Sequence, residues 1–539
     1  MSLIAGDVKG WMQHAENRWH LAGALLLSIL TTLVLTTFSD YGSIWDEEVH
    51  FLYGEQILAW IKTFGADRAA LSFGDLYLYG GLFDVCAALS LRVSSLGIYE
   101  TRHLVNVLAG LVGLFATWRL GTLLGGARTG TVALLFLALS PVFYGHMFNN
   151  PKDIPFASFA TFGLYMAIRA SRELPRPRPE LVLGTGIALG AALGTRAGGL
   201  FLLGYVVLLW SVALVLLHSA PGRLDITGVS VRLVAIVALA WTMMVVCWPW
   251  AQLAPLTRPI EAAVSASRFR WIGPMLFRGQ VVQSNALPWD YLPTWFAVSL
   301  PEHLLAAPLL GVVAAIQAIR GKIVSRRALL EASFLVGCVV FPIGVTVLVR
   351  PVMYDAQRQF IFILPPLAVL AAWSLIAFFE RVPRTLAWAI TAVVGVSVAL
   401  TAVDMVRLHP YQTVYFNRAF GGGLAAASER FETDYWGASY REGIEAVARH
   451  YRPDSLWPVT VANCSVQHLS SYWLSRIPGA GQYFVAVRIE QDPDIILATT
   501  RYRCHEQYAG TILHVVRREG VPLLYVIERR RRGTWLPSP

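Results

Sequence analysis

Through the first three-quarters of the chain, apolar residues gather in long blocks that short polar breaks separate. A helix needs about 20 such residues to cross the hydrocarbon core of a bilayer. The blocks predict about eleven spans, at 21–38, 104–124, 130–147, 154–170, 181–195, 198–218, 231–250, 303–319, 331–349, 360–379 and 385–404. The stretch 76–97 is apolar too, but Asp84 and Arg92 interrupt it, which predicts an amphipathic or re-entrant segment. After Asp404 the pattern changes. Residues 438–451 carry apolar positions at helical spacing, and short β-branched and aromatic runs at 459–462, 483–487, 495–499, 512–516 and 523–527 predict strands. The expected fold class is a polytopic α-helical membrane domain, 1–404, followed by a soluble α/β domain, 405–539.

Composition points the same way. The 539 residues are 55% hydrophobic and only 14% charged, whereas a soluble domain carries about 25% charge. The first block has no small-residue cleavage site after it and reads as a retained anchor. The net charge of +10 comes from arginines and lysines in the breaks between blocks, where topology needs them, and no nucleic-acid motif accompanies it. Lys9, Arg18, Arg119, Arg128, Arg169, Arg172, Arg176, Arg178, Arg223, Arg232, Arg320, Lys322, Arg326, Arg327, Arg381 and Arg384 fall in one set of loops. The other short loops hold only Lys152, Arg196, Arg350 and Arg358. By the positive-inside rule the richer set is cytoplasmic. The N-terminus is then inside a bacterial inner membrane, and loops 39–103 and 251–302 and the C-terminal domain lie outside. Cys86, Cys247 and Cys338 sit in apolar segments as inert fillers. Cys464 and Cys504 share the exported, oxidising domain, where a disulfide and two free thiols are both open.

Candidate chemistry clusters in the outer loops. Asp46, Glu47 and Glu48 follow the first block, beside Trp45 and ahead of His50. They are either the acidic first turn of a helix or a general base at the lipid boundary, where burial raises a carboxyl pKa. Asn149-Asn150-Pro151-Lys152-Asp153 forms a Pro-bounded turn in which Lys152 suits phosphate and Asp153 orients its neighbours. Arg196 lies among glycines between two blocks, as a phosphate ligand or a snorkelling arginine. Tyr354-Asp355-Ala356-Gln357-Arg358 opens a later block, and Arg358 at a helix start makes an anion cradle or an interfacial anchor. The loop from Arg268-Phe269-Arg270-Trp271 to Pro288-Trp289-Asp290-Tyr291 is aromatic and basic and suits a cover over a site. The run Arg529–Arg532 reads as a solvated tail. Acids and phosphate-binding cations on one membrane face fit a lipid-phosphate-linked substrate.

The Trp45-Asp46-Glu47 sequence after the first span, the Asn-Pro-Lys-Asp loop and the Tyr-Asp-x-x-Arg-x-Phe stretch at 354–360 resemble the GT-C glycosyltransferases. Within that superfamily the likeness is to the protein mannosyltransferase and lipid A aminoarabinose transferase group. The resemblance implies inverting transfer of a sugar from a polyprenyl-phosphate donor to a hydroxyl acceptor at the outer face. Asp46 would be the base, with Glu47 positioning it or the acceptor. Lys152, Arg196, Arg358 and Arg102 would hold the donor phosphate, supported by Glu48, His50, Asn149, Asp153, Tyr354 and Asp355. Glu48 adds a third acid and the His-Pro-Pro of the mannosyltransferase pattern is missing, so neither sugar nor acceptor is fixed. No cofactor is indicated with certainty, and the acids leave a divalent metal open. The segment from His409-Pro410-Tyr411-Gln412 to Asp434-Tyr435-Trp436-Gly437 reads as a joint between the two domains or as an acceptor-binding edge. The rival reading is a transporter or flippase of a lipid-linked saccharide. Against it stand the absence of internal repeats and the clustering of ionisable residues at one face.

Overall fold

A computed structural model of the chain describes residues 2–217, 225–267, 271–321, 325–454 and 457–536. Arg223, Lys322, Arg268, Phe269 and Arg270 lie outside the described residues. The chain is a multi-helix membrane protein with a C-terminal α/β domain, as the apolar blocks predict. The described residues of the expected spans are mostly helical, but the block 130–147 breaks at Leu139 and Ser140 between two helices, and fewer than eleven helices among them are long enough to cross. By length and hydropathy, seven helices among the described residues are able to cross a membrane, eight if one bent pair counts as a span.

Two departures from simple rods have local causes. Ile98–Ala138 is assigned as one helix, but Gly125 and Gly126 leave helical geometry, Gly126 at φ +82°. In a straight helix nine residues extend about 13 Å. A Cβ added to Gly121 would nevertheless meet the Gly130 Cα at 2.9 Å. The chain therefore doubles back there into two antiparallel helices, which the separate blocks at 104–124 and 130–147 predict. Tyr291–Ser299 and Glu302–Gln317 meet at a 108° bend where Pro301 lacks the N–H needed to continue the helix.

Asp153–Ser171 packs between Ile98–Ala138 and Pro179–Leu193, and Leu364–Phe379 packs on Ile98–Ala138 and Glu302–Arg320. These helices enclose the membrane core, while Arg384–Leu408 is peripheral and leaves Trp388, Val393 and Val406 exposed. In the loop 39–103, the helix Trp45–Lys62 packs on the nine-residue helix Leu82–Ser90. The latter is too short to span a bilayer. In the loop 251–302, Pro274–Phe277 and Gln280–Gln283 pair as a hairpin. Its turn residues, Arg278 (φ +52°) and Gly279 (φ +79°), have the left-handed pair that a two-residue hairpin requires.

Beyond Leu408 lies a five-stranded sheet in the order Phe484–Ala486, Val459–Asn463, Ile495–Thr499, Val521–Glu528, Thr511–Arg518. The first three strands are parallel, and the last two join antiparallel. Ile495–Thr499 is buried throughout, as a continuous apolar run in a covered sheet must be. Gln467–Arg476 is the crossover helix between two parallel strands, an element the sequence reading omitted. Cys464 and Cys504 are joined by a disulfide.

Candidate active site

The helix Trp45–Lys62 carries the three acids in its first turn. Successive helical residues point about 100° apart, so the acids part company. Asp46 faces a cavity of about 450 Å³. Glu47 turns inward, where Oε2 accepts from the Ile44 backbone N–H at 3.2 Å and lies 3.1 Å from His103 Nε2. Glu48 Oε2 is 2.5 Å from His468 Nδ1 of the soluble domain, and partial burial raises its pKa.

The turn 149–153 builds the facing wall. Asn150 Oδ1 accepts from the Asp153 backbone N–H at 2.9 Å, and its Nδ2 donates to Asp153 Oδ2 at 3.0 Å. This local bonding is the turn chemistry that asparagine favours. It aims Asp153 at two guanidinium groups: Arg196, in direct contact, and Arg358 Nη1 at 3.4 Å. The Lys152 ammonium lies 4.7 Å from the centre of the Tyr79 ring and, among the described residues, pairs with no carboxylate.

Asp355 and Ala356 adopt φ +58° and +60°, a left-handed pair that side-chain-bearing residues hold only where surroundings over-determine them. The turn brings Asp355 Oδ2 within 3.0 Å of Arg358 Nη2, and Oδ1 within 2.8 Å of Arg501 Nη2. Trp436 Nε1 donates to Asp355 Oδ2 at 3.0 Å, and its ring lies 4.5 Å from the Arg358 guanidinium. A continuous chain results: Arg196–Asp153–Arg358–Asp355–Arg501. Arg358 Nη2 lies 4.0 Å from Asp46 Oδ2, which links this chain to the cavity acid. Arg501 also sits 4.3 Å from the Trp45 ring centre. Burial opposes its charge, but Asp355 and Glu432 hold its pKa above the usual range.

The cavity therefore collects Asp46, Lys152, Tyr354, Asp355 and Arg358, with Arg196 and Asp153 bonded to its wall. Five expected site residues do not reach it, Glu48 among them through its contact with His468. Glu47 is bonded inward as described. Arg102 Nη2 is 3.0 Å from Asp84 Oδ1, and His50 Nδ1 is 2.9 Å from Asp84 Oδ2, in a fully buried cluster. Asn149 Nδ2 donates to the Gly42 carbonyl at 3.1 Å. Despite burial, His50 and Arg102 hold the Asp84 carboxyl below its ordinary range, while burial lowers the pKa of His50.

Sequence reasoning missed Arg501, Trp436 and Tyr79. Arg501 lies just past the C-terminal end of the parallel strand Ile495–Thr499, the edge where open α/β sheets bind ligands, a signal it shares with Arg503. Residues of the segment 409–437 bond to the helical part of the chain. Tyr435 Oη is 3.0 Å from His146 Nε2, Gln412 accepts from Tyr41 Oη at 2.8 Å, and Asn417 Nδ2 donates to the Ala297 and Leu300 carbonyls.

Among the described residues no three His, Cys, Asp or Glu side chains come together as metal ligands. Asp153 and Asp355 each engage two guanidinium groups. Asp46 and Asp75 remain on the cavity wall.

Fold and cavity together define a multi-span membrane protein with a charged pocket where a soluble domain docks on its helices. Residues 86–250 match the family described as dolichyl-phosphate-mannose-protein mannosyltransferase, and over that stretch the expected resemblance is borne out. The matched region contains Lys152, Asp153 and Arg196, while Asp46 and Arg358 flank it. Among solved structures the chain is similar to ArnT from Cupriavidus metallidurans bound to undecaprenyl phosphate. The identity is 14% and the TM-score 0.47, over 93% of this chain and 97% of that one. It is also similar to the oligosaccharyltransferase AglB from Archaeoglobus fulgidus, in complex with an inhibitory peptide and a dolichol-phosphate. Here identity is 13% and TM-score 0.47, over 89% of this chain and 69% of that one. No curated protein matches the chain.

Proposed function

We propose that this protein is an inverting glycosyltransferase that moves a sugar from a polyprenyl-phosphate donor to a hydroxyl acceptor at the outer face of the bacterial inner membrane. The observation that carries this reading is the meeting of Asp46, Arg358 and Lys152 around one cavity, with Asp46 and Arg358 4.0 Å apart. A carboxylate beside preformed cations serves an acid–base step coupled to departure of a phosphate. Asp46 takes the proton from the acceptor hydroxyl as its oxygen bonds to C1 of the sugar. The bond from C1 to the phosphate oxygen breaks on the opposite face, and its electron pair stays on the phosphate. Lys152 and Arg358 stabilise that charge. Asp153, Asp355 and Arg196 hold Arg358 in place, and Glu47, by tying the helix start to Ile44 and His103, positions Asp46.

The distribution of basic residues supports a cytoplasmic N-terminus and an exported C-terminal domain. The Cys464–Cys504 disulfide supports the same placement, since disulfides persist in oxidising compartments. The test is to incubate the purified protein with radiolabelled polyprenyl-phosphate sugars and membrane acceptors. Asp46→Asn is expected to abolish transfer while donor binding persists. Full transfer by that variant would end the proposal.

A further inference from the structure

A second cavity, of about 620 Å³, opens beside the first. The hairpin 274–283 forms one wall, and the loop 500–506 with the start of strand Val521–Glu528 forms the other. Arg501 and Tyr502 line both cavities and so form the partition between them. Arg501 in turn stacks on Trp45, the neighbour of Asp46.

The lining has two kinds of surface. The His505 and Tyr525 rings, both on the lining, stack at 4.8 Å with 6° between their planes. Around them stand Glu432, Glu506 and Arg503. A pyranose offers the complement: a C–H face for an aromatic ring and a rim of hydroxyls for carboxylates and guanidinium. Burial raises the Glu432 carboxyl to about 7, so near neutral pH it both donates and accepts hydrogen bonds, as a hydroxyl does. The Leu276 backbone N–H donates to the same carboxylate and ties it to the hairpin. Tyr502 and Arg503 hold φ +54° and +51°, and the following residue is fixed through Cys504–Cys464. Strained backbone of this kind gathers at ligand sites, and Cys464 itself lines the first cavity.

We propose that the second cavity binds the saccharide portion of the acceptor and delivers its hydroxyl past Arg501 and Tyr502 to Asp46. This assignment rests on the sugar-transfer reading above. It gives the soluble domain a substrate-binding role and makes the hairpin 274–283 part of the acceptor site.

The experiment uses the full chain in lipid nanodiscs and two probes. Undecaprenyl phosphate binding is followed by tryptophan fluorescence, and a panel of hexose and N-acetylhexosamine disaccharides is followed by saturation-transfer NMR. Wild type and Asp46→Asn are expected to bind a member of the panel. Tyr525→Ala and Val281→Trp are expected to weaken that binding by about tenfold or more while keeping wild-type affinity for undecaprenyl phosphate, which shows that they are folded. If undecaprenyl phosphate binds and no disaccharide does, or if both variants bind disaccharide like wild type, the acceptor assignment is overturned. It is also overturned if extended peptides bind along the exposed strand Gln280–Gln283 in place of sugars. If wild type does not bind undecaprenyl phosphate at all, the sugar-transfer reading itself fails.

Discussion

Two buried ionic clusters adjoin the helix Trp45–Lys62, and both draw on the same short acidic stretch. One is Arg102–Asp84–His50 together with Glu47–His103, sealed from solvent on every side. The other is Arg196–Asp153–Arg358–Asp355–Arg501, which opens on a cavity through Asp46 and Lys152. Inside the sealed cluster each acid faces a cation or an imidazole. In the open cluster the chain of pairs is complete, and Asp46, 4.0 Å from Arg358, and Lys152, which pairs with no carboxylate among the described residues, face the cavity. A sealed cluster fixes how helices meet, whereas charge facing a cavity is available to a substrate. Charge in a membrane protein is thus a poor marker of function until its direction is known.

Substitutions break this contrast in order of size. Asp46→Asn, in the open cluster, is expected to lower the transfer rate by about 10²–10⁴-fold with little change in thermal stability, measured by single-turnover transfer and by unfolding scans. Arg102→Ala, in the sealed cluster, should do the reverse. Removing one partner of a buried pair costs about 3–5 kcal/mol, so the protein should melt lower while affinity for undecaprenyl phosphate per folded molecule stays the same. Lys152→Ala is expected to weaken undecaprenyl phosphate binding by the worth of a hydrogen bond to a charged group, about 1.5–3 kcal/mol, and to leave stability alone.

A fourth effect is one of pH. The Glu432 carboxyl is raised from 4.5 to about 7 in the folded protein. The unfolded chain therefore gives up this proton first, and the stabilisation that protonation brings is lost as pH rises from about 4.5 through about 7. Glu432→Gln should flatten the fall in melting temperature across that window. An unchanged slope would show that Glu432 is charged throughout.

Much of the membrane framework is legible because hydropathy is a property of consecutive residues. The blocks at 104–124 and 130–147, for example, separate two helices that hydrogen bonding alone runs together. Asp46, Lys152 and Arg358 were visible for a related reason: each ends or begins an apolar block. Direction was not legible. Arg102 and Asn149 also stand at such boundaries, but one residue of helical phase decides whether a side chain meets the cavity or Asp84 and Gly42. Arg501 was hidden because its partners, Asp355 and Trp45, are distant in sequence. Nothing local distinguishes it from Arg503, whose guanidinium pairs with Glu506 at the surface. The polar segment 409–437 could be singled out, yet the target of Trp436 could not, since Asp355 reaches it only after an unusual left-handed turn.

Arg501 follows Asp46 by more than four hundred residues. At about 5–20 residues per second a ribosome needs tens of seconds to cover that distance. During that interval the cavity lacks a wall and Asp355 lacks one of its two guanidinium partners, so the open cluster is complete only once the loop that carries Arg501 has docked on the helices.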